Sequence, residues 1–377
     1  ANTTAGTAAY TVTTAAANIK PAYNVANTLY AVYSRNLTMA YDGNGNTGGS
    51  TASHTSPQYY NTNGGITTVT FTTAANGFTK TGYTFSKWTN DSTSGAEVAA
   101  GGNAAGFTPA VNSTALTKTM YAKWTANTYT IKYYQGNNST TAGSTQLSGT
   151  TSGTYNVNVT LQAYGGTAPQ GWTFAGWSTT QTGTAVSSVN SVSLTDGATT
   201  KNFTATAGDT VNLYAIFSRT IKFNSGVNCV TTSTATQRYN PYKTTGYITA
   251  VSAPAPSITT LTTYGWAATG YRADKTAGAA TYAVTTAAAN ITPAYNVYDV
   301  TTATSTTLNL YGTYNRTVTF KSGVSLATSS EVTQSYNTSA NAVSTISAPA
   351  PTAISNWSAL GYRANTTATT ASYAVTT

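Results

Sequence analysis

Apolar and polar residues alternate through much of this chain. In Leu213–Phe217, the side chains of Leu213, Ala215 and Phe217 would project to one side of an extended backbone and Tyr214 and Ile216 to the other. In Thr220–Phe223, Ile221 and Phe223 alternate with Thr220 and Lys222. A period of two is that of a β-strand. These two runs read as the last strand of one unit and the first strand of the next. The residues between such runs agree with this. Thr, Tyr, Val and Phe favour strands, Gly, Asn and Ser favour turns, and the helix formers Glu, Lys, Gln, Leu and Met are scarce beside abundant Ala. The expected fold class is all-β or mostly β.

The strand pattern recurs. "LYAVYSRNLTMAYDGNG" from Leu29, "MYAKWTANTYTIKYYQGN" from Met120, "LYAIFSRTIKFNSG" from Leu213 and "LYGTYNRTVTFKSG" from Leu310 share a Tyr at Tyr30, Tyr121, Tyr214 and Tyr311, spaced by 91, 93 and 97 residues. Self-similarity at such a period marks a tandem array. A second marker, two aromatic rings five residues apart, falls between them at Tyr83/Trp88, Trp172/Trp177, Trp266/Tyr271 and Trp357/Tyr362. A third links distant parts of the chain: residues 10–25 match residues 282–297 at 14 of 16 positions, and residues 1–14 match 364–377 at 11 of 14. The expected organisation is the C-terminal part of a repeat at 1–34, repeat modules at 35–125 and 126–218, a diverged module at 219–315, and the N-terminal part of another diverged repeat at 316–377.

The ring pairs are expected in the module cores. A unit of about 90 residues with little Leu needs large rings to bury enough apolar area. Tyr30, Tyr121, Tyr214 and Tyr311 mark the repeat junctions. The Pro-rich runs at 252–256 and 347–351 read as stiff loops or strand entries, since Pro cannot donate to a ladder.

Charge changes the picture mainly by its scarcity. Only 7% of residues are charged, and 17 Lys and Arg against 8 Asp and Glu give a net +9 spread along the whole length. There is no basic run for a phosphate stripe, so nucleic acid is not expected as a partner. The single Cys229 rules out an intrachain disulfide framework. No apolar run approaches the roughly 18 residues needed to cross a bilayer. With neither an initiator Met nor a signal peptide, the chain reads as a mature or excised segment.

Candidate chemistry is thin. His54 and Cys229 belong to different repeats, and a lone Cys in a β module is most simply a small hydrophobe. The acids Asp42, Asp91, Glu97, Asp196, Asp209, Asp274, Asp299 and Glu331 do not recur at matching repeat positions, so no paired-carboxylate site is indicated. Asp42, Asn44 and Asn46 alternate like the start of a calcium loop. However, Thr47 and Ser53 stand where that loop wants Gly and Glu, and Asp-Gly and Asn-Gly are turn dipeptides. No catalytic residue, resident metal or cofactor is expected, and the chain is not expected to be an enzyme.

The blocks "GYTFSKW…MYAKW" and "GWTFAGW…LYAIF" resemble the Listeria–Bacteroides repeat, the B-repeat of internalin-type surface proteins. The resemblance covers 35–125 and 126–218. In the later repeats Ala267-Ala268 and Ser358-Ala359 replace Thr-Phe, and the second ring is Tyr. It implies small β-grasp-like modules used in tandem on bacterial and some archaeal surface proteins. The expected function is an extracellular, cell-surface structural protein: a stalk or filament of tandem modules. Its partner would be itself, as a head-to-tail homopolymer or along a longer covalent chain. The alternative is an adhesin binding glycans or neighbouring cell surfaces.

Overall fold

The computed structural model describes residues 5–25, 27–137, 143–242, 247–298, 305–364 and 372–375. Most of the closing stretch 364–377, and Asp299, therefore lie outside the described residues. The chain is 45% strand, and no α-helix occurs among the described residues. It divides into two compact units: Ala1–Ile131 with Ser152–Val159 and Thr200–Val211, and Lys132–Thr151 with Thr160–Thr199 and Asn212–Thr377.

The first unit is built on β1 (Val32–Asp42), β2 (His54–Asn61), β3 (Tyr83–Asn90) and β4 (Thr117–Ala126), in the sheet order β2-β1-β4-β3. β1 pairs antiparallel with β2 and parallel with β4, and β3 pairs antiparallel with β4. The alternating inward residues meet in one core of Leu37, Met39, Val69, Phe71, Trp88, Ala104, Met120 and Ala122. Residues 5–25 and 27–31 precede β1 without forming a strand.

The second unit holds β7 (Thr173–Ser178), β9 (Thr231–Tyr239), β10 (Ala267–Arg272), β11 (Thr307–Ser322) and β12 (Thr328–Asn337), and most of β5 (Thr128–Gly136), β6 (Ser144–Thr154) and β8 (Thr210–Ser225), whose residues 128–131, 152–154 and 210–211 fall in the first. Its main sheet runs β6-β5-β8-β11-β10. β8 and β11 are each 16 residues long, and each has two sets of neighbours. The first half of β8 pairs antiparallel with β7; its second half pairs antiparallel with β9 and parallel with β11. The first half of β11 pairs with β10 and its second half with β12, both antiparallel. The strands β9-β8-β11-β10 thus repeat the order and sense of β2-β1-β4-β3. The boundaries 218/219 and 315/316 expected from the sequence fall inside β8 and β11, so the two runs expected on either side of each boundary form one continuous strand.

The cores correspond position by position. Ile221, Phe223, Val251, Tyr271 and Leu310 occupy the places of Leu37, Met39, Val69, Trp88 and Met120. The Tyr271 hydroxyl donates to Pro254 O at 3.0 Å, as Trp88 Nε1 donates to Ala74 O at 2.9 Å. Trp-to-Tyr exchange therefore keeps the buried polar hydrogen satisfied. Where the later repeat has the apolar Leu308, the first has Lys118, which buries its stem and reaches Asp91 with its amine at 2.8 Å.

A β-bulge recurs inside the aromatic block, between Phe85 and Lys87, Phe174 and Gly176, and Ala268 and Gly270. The extra residue shifts the alternation, so Phe174 and Trp177, three apart in sequence, share one face with ring centroids 4.9 Å apart. Gly176 and Gly270 sit at φ 146° and 140° beside these bulges. A Cβ on Gly270 would lie 2.0 Å from Tyr282 O, so the backbone approach itself demands glycine.

Candidate functional site: a recurrent arginine and aromatic junction

The sequence-marked rings divide into two roles. Trp88, Trp177 and Tyr271 are fully buried, Trp88 and Tyr271 in the cores described above. Trp172 and Trp266 are buried too, but they pack against the following repeat. Trp172 lies 5.2 Å from Tyr239, Trp266 lies 5.6 Å from Tyr336, and in the first unit Tyr83 lies 5.7 Å from Tyr155. The last pair differs. Tyr362 is half-buried and packs 5.0 Å from Phe320, while Trp357 is 79% exposed. Tyr121, Tyr214 and Tyr311 are half-buried on their strands and Tyr30 is exposed.

Arg219 shows how the junction is built. It lies in the middle of β8, opposite Gln237 of β9. Its Nε donates to Gln237 Oε1 at 2.8 Å, one terminal nitrogen donates to Val297 O, and the other donates to Pro293 O and Ala294 O at 3.0 Å each. The guanidinium carbon sits 4.3 Å from the centroid of the Trp172 ring. Trp172 Nε1 donates to Tyr295 O at 3.0 Å, and the Tyr295 ring stacks on Tyr239 at 5.4 Å and 16°. Burial lowers the Arg219 pKa to about 10, which leaves the cation charged at neutral pH. Its charge is answered by carbonyl dipoles and a ring face, with no carboxylate among its hydrogen-bond partners.

The same pattern holds elsewhere in the chain. Arg35 faces Gln58, donates to its Oε1 at 2.9 Å, and is capped by Pro109 O, Ala110 O, Val111 O and Ser113 O at 2.7–3.2 Å. Arg316 faces Gln334, donates to its Oε1 at 2.9 Å, and lies 4.6 Å from the Trp266 centroid. Asn240 and Asn337, which follow Tyr239 and Tyr336, add clamps on the preceding repeat. Asn240 Nδ2 donates to Gln181 O and Gly183 O at 2.9 and 2.7 Å; Asn337 Nδ2 donates to Asp274 O and Thr276 O at 3.2 and 2.9 Å. These contacts can hold two successive repeats in one orientation.

Sequence reading missed this constellation. Its signal lay in the marker strings themselves, where Arg follows the terminal strand residues in "YSRN", "FSRT" and "YNRT". The junction between the first two full repeats lacks it: Ala126-Asn127 stands there, the register carries three extra residues, and β4 ends at Ala126.

Asp42, Asn44 and Asn46 are each hydrogen-bonded locally or to β4. Asp42 Oδ1 accepts from the Asn44 backbone N–H at 2.7 Å, Asn44 Nδ2 donates to Ala122 O and Asn46 Nδ2 to Gly48 O. With Asn44 and Gly45 at positive φ, this is a hydrogen-bonded turn. No cluster of three potential metal ligands occurs among the described residues. His54 packs between Tyr41 and Phe71, and Cys229 lies in the other unit with its sulfur donating to Thr338 O.

Comparison of the sequence with protein-family models and with curated proteins returns no match.

Proposed function

We propose that this chain is a non-enzymatic structural protein of the cell exterior, forming a stalk or filament of tandem β-grasp-like modules joined head to tail. The observation that carries the reading is the sharing of strands: Thr210–Ser225 and Thr307–Ser322 each serve two successive repeats. A linker would let modules tumble, whereas a shared strand transmits orientation and load through backbone hydrogen bonds. The buried Arg219 junction locks the same seam from the side chains. The central parallel pairing of first and last strands, flanked by antiparallel neighbours, supports the β-grasp-like description. The resemblance of residues 35–218 to the Listeria–Bacteroides repeat supports the cell-surface location. An adhesin would call for exposed ring platforms. Of the eight paired rings Trp357 is the one that is strongly exposed, and its repeat equivalents Trp172 and Trp266 are junction residues.

Electron microscopy of the native material tests the reading. Fibres are expected, and particles of single dispersed chains would overturn it. Denaturing electrophoresis then separates two forms of the fibre. A band at the chain mass of 38.8 kDa means non-covalent subunits, and far larger material means one continuous array.

A further inference from the structure

Among the described residues, the Arg316 junction carries part of the Arg219 arrangement. Arg316, Gln334, Trp266 and Tyr336 stand where Arg219, Gln237, Trp172 and Tyr239 stand, with the same strand register. What differs is the capping segment. Arg219 is closed by Pro293–Val297, and Arg35 by Pro109–Ser113. Among the described residues, no carbonyl meets the terminal nitrogens of Arg316. Nothing there accepts from Trp266 Nε1, and nothing stacks on Tyr336 in the place of Tyr295. The neighbouring ladder is open as well. Val251–Ala253 pairs antiparallel with Ala289–Ile291 beside the Arg219 junction, whereas the equivalent residues 346–348 are in no strand.

The chain carries a second copy of the capping sequence that closes Arg219. Residues 15–19 repeat Ala287–Ile291 letter for letter, and Pro21–Val25 repeats Pro293–Val297. This segment is idle in the structure. Ile19 and Tyr23 are exposed, and residues 15–19 are in no strand. Yet its turn is already formed. Val25 N–H donates to Ala22 O at 3.0 Å, as Val297 does to Ala294 O at 3.1 Å and Ser113 to Ala110 O at 2.9 Å. A preorganised segment loses little entropy on docking.

Building on the head-to-tail reading, we propose that residues 15–25 of a second copy of this chain cap the Arg316 junction. Ala17–Ile19 adds an antiparallel strand to residues 346–348, with Ile19 opposite Ile346. Pro21 O, Ala22 O and Val25 O receive the Arg316 guanidinium. Tyr23 O accepts from Trp266 Nε1, and the Tyr23 ring stacks on Tyr336. The same docking supplies the other half of the seam. The exposed Trp357 of the first copy meets Arg35 and Tyr60 of the second, and its Nε1 meets Val111 O. Those residues already line a cleft of about 250 Å³ with Tyr33, Gln58 and Ile66. The contact joins two different surfaces, so it repeats without closing.

Single-cysteine chains test this. Ile19→Cys and Ile346→Cys are each made in full-length protein carrying Cys229→Ser, mixed, and mildly oxidised. Residues directly opposite in an antiparallel ladder lie within disulfide reach. The expected product is a disulfide-linked dimer of the two variants through positions 19 and 346. Adding Arg316→Ala to the Ile346→Cys chain, or Tyr23→Ala to the other, should lower its yield about tenfold, the effect of one lost charged hydrogen bond or ring contact. Fibres that form without the 19–346 link overturn this docking and leave the head-to-tail reading standing. The link in a preparation that never yields fibres supports the docking and sinks the filament. A doubly substituted chain that closes on itself as a monomer at every concentration shows that the segment serves its own chain, which overturns the second-copy occupant.

Discussion

At the residue scale, position within the repeat decides what a ring is for. Trp177 lies fully buried against Tyr133 and Phe174, with centroids 4.9 Å away in each case. Trp177→Ala should cost about 3–5 kcal/mol, because surrounding rings cannot collapse into the space. Trp357→Ala should change the stability of the dispersed chain by less than about 0.5 kcal/mol, since that ring is exposed. Urea denaturation of both variants checks the contrast, and equal losses would show the two rings to be equivalent. Charges give a second residue-scale prediction. Hydrogen bonds from Lys123 and then Lys87 hold the Glu97 carboxyl down to about 2 from its ordinary 4.5. A depressed carboxyl stabilises the fold above its unfolded value, and that contribution fades as pH falls from 4.5 toward 2. Glu97 is exposed, so salt weakens the effect. Its side-chain NMR titration should have a midpoint near 2 and move back toward 4.5 in Lys123→Ala, more than in Lys87→Ala. An unmoved midpoint would remove the lysines as the cause.

At the element scale, the strands were legible and their interruptions were not. Period-two runs such as Leu213–Phe217 and Thr220–Phe223 announced the two halves of β8, although Ile216, on the face opposite Leu213, proves as buried as its neighbours. Alternation reports only that two faces differ, and β8 is covered on both at that point. The bulges escaped notice because a bulge is a relation between two strands, and one strand's sequence does not contain it. The capping loops escaped for a similar reason. Pro293, Ala294 and Val297 act through carbonyl oxygens, which every residue has, so no side-chain pattern marks them. The glycine at the bulge is the readable trace. Gly270→Ala should destabilise by about 1–3 kcal/mol, since φ 140° is nearly reserved for glycine and the new Cβ would collide with Tyr282 O. Thermal unfolding measures it. A loss no greater than that of Ala279→Gly, an exposed loop change, would mean the bulge can relax.

At the scale of the whole molecule, the sparse charge sets how copies would hold together. The four side-chain ion pairs seen among the described residues are Lys87–Glu97, Lys118–Asp91, Lys123–Glu97 and Arg272–Asp274, and none of them includes a junction arginine. The Arg219 junction rests on a guanidinium facing carbonyls and on stacked rings, in a place where solvent is excluded and screening is weak. Each copy also carries a net +9. Like charge spread along neighbouring copies opposes association through water, and salt screens that repulsion. Raising salt should therefore leave a head-to-tail fibre intact or strengthen it, the opposite of an assembly held by surface ion pairs. Sedimentation of native fibres at low salt and at about 1 M sodium chloride is the measurement. The pelleted fraction should stay constant or rise with salt and fall only with denaturant. Release of soluble chains by salt alone would mean that exposed ion pairs hold the copies together, and that the Arg219 junction is a poor guide to the contact between copies.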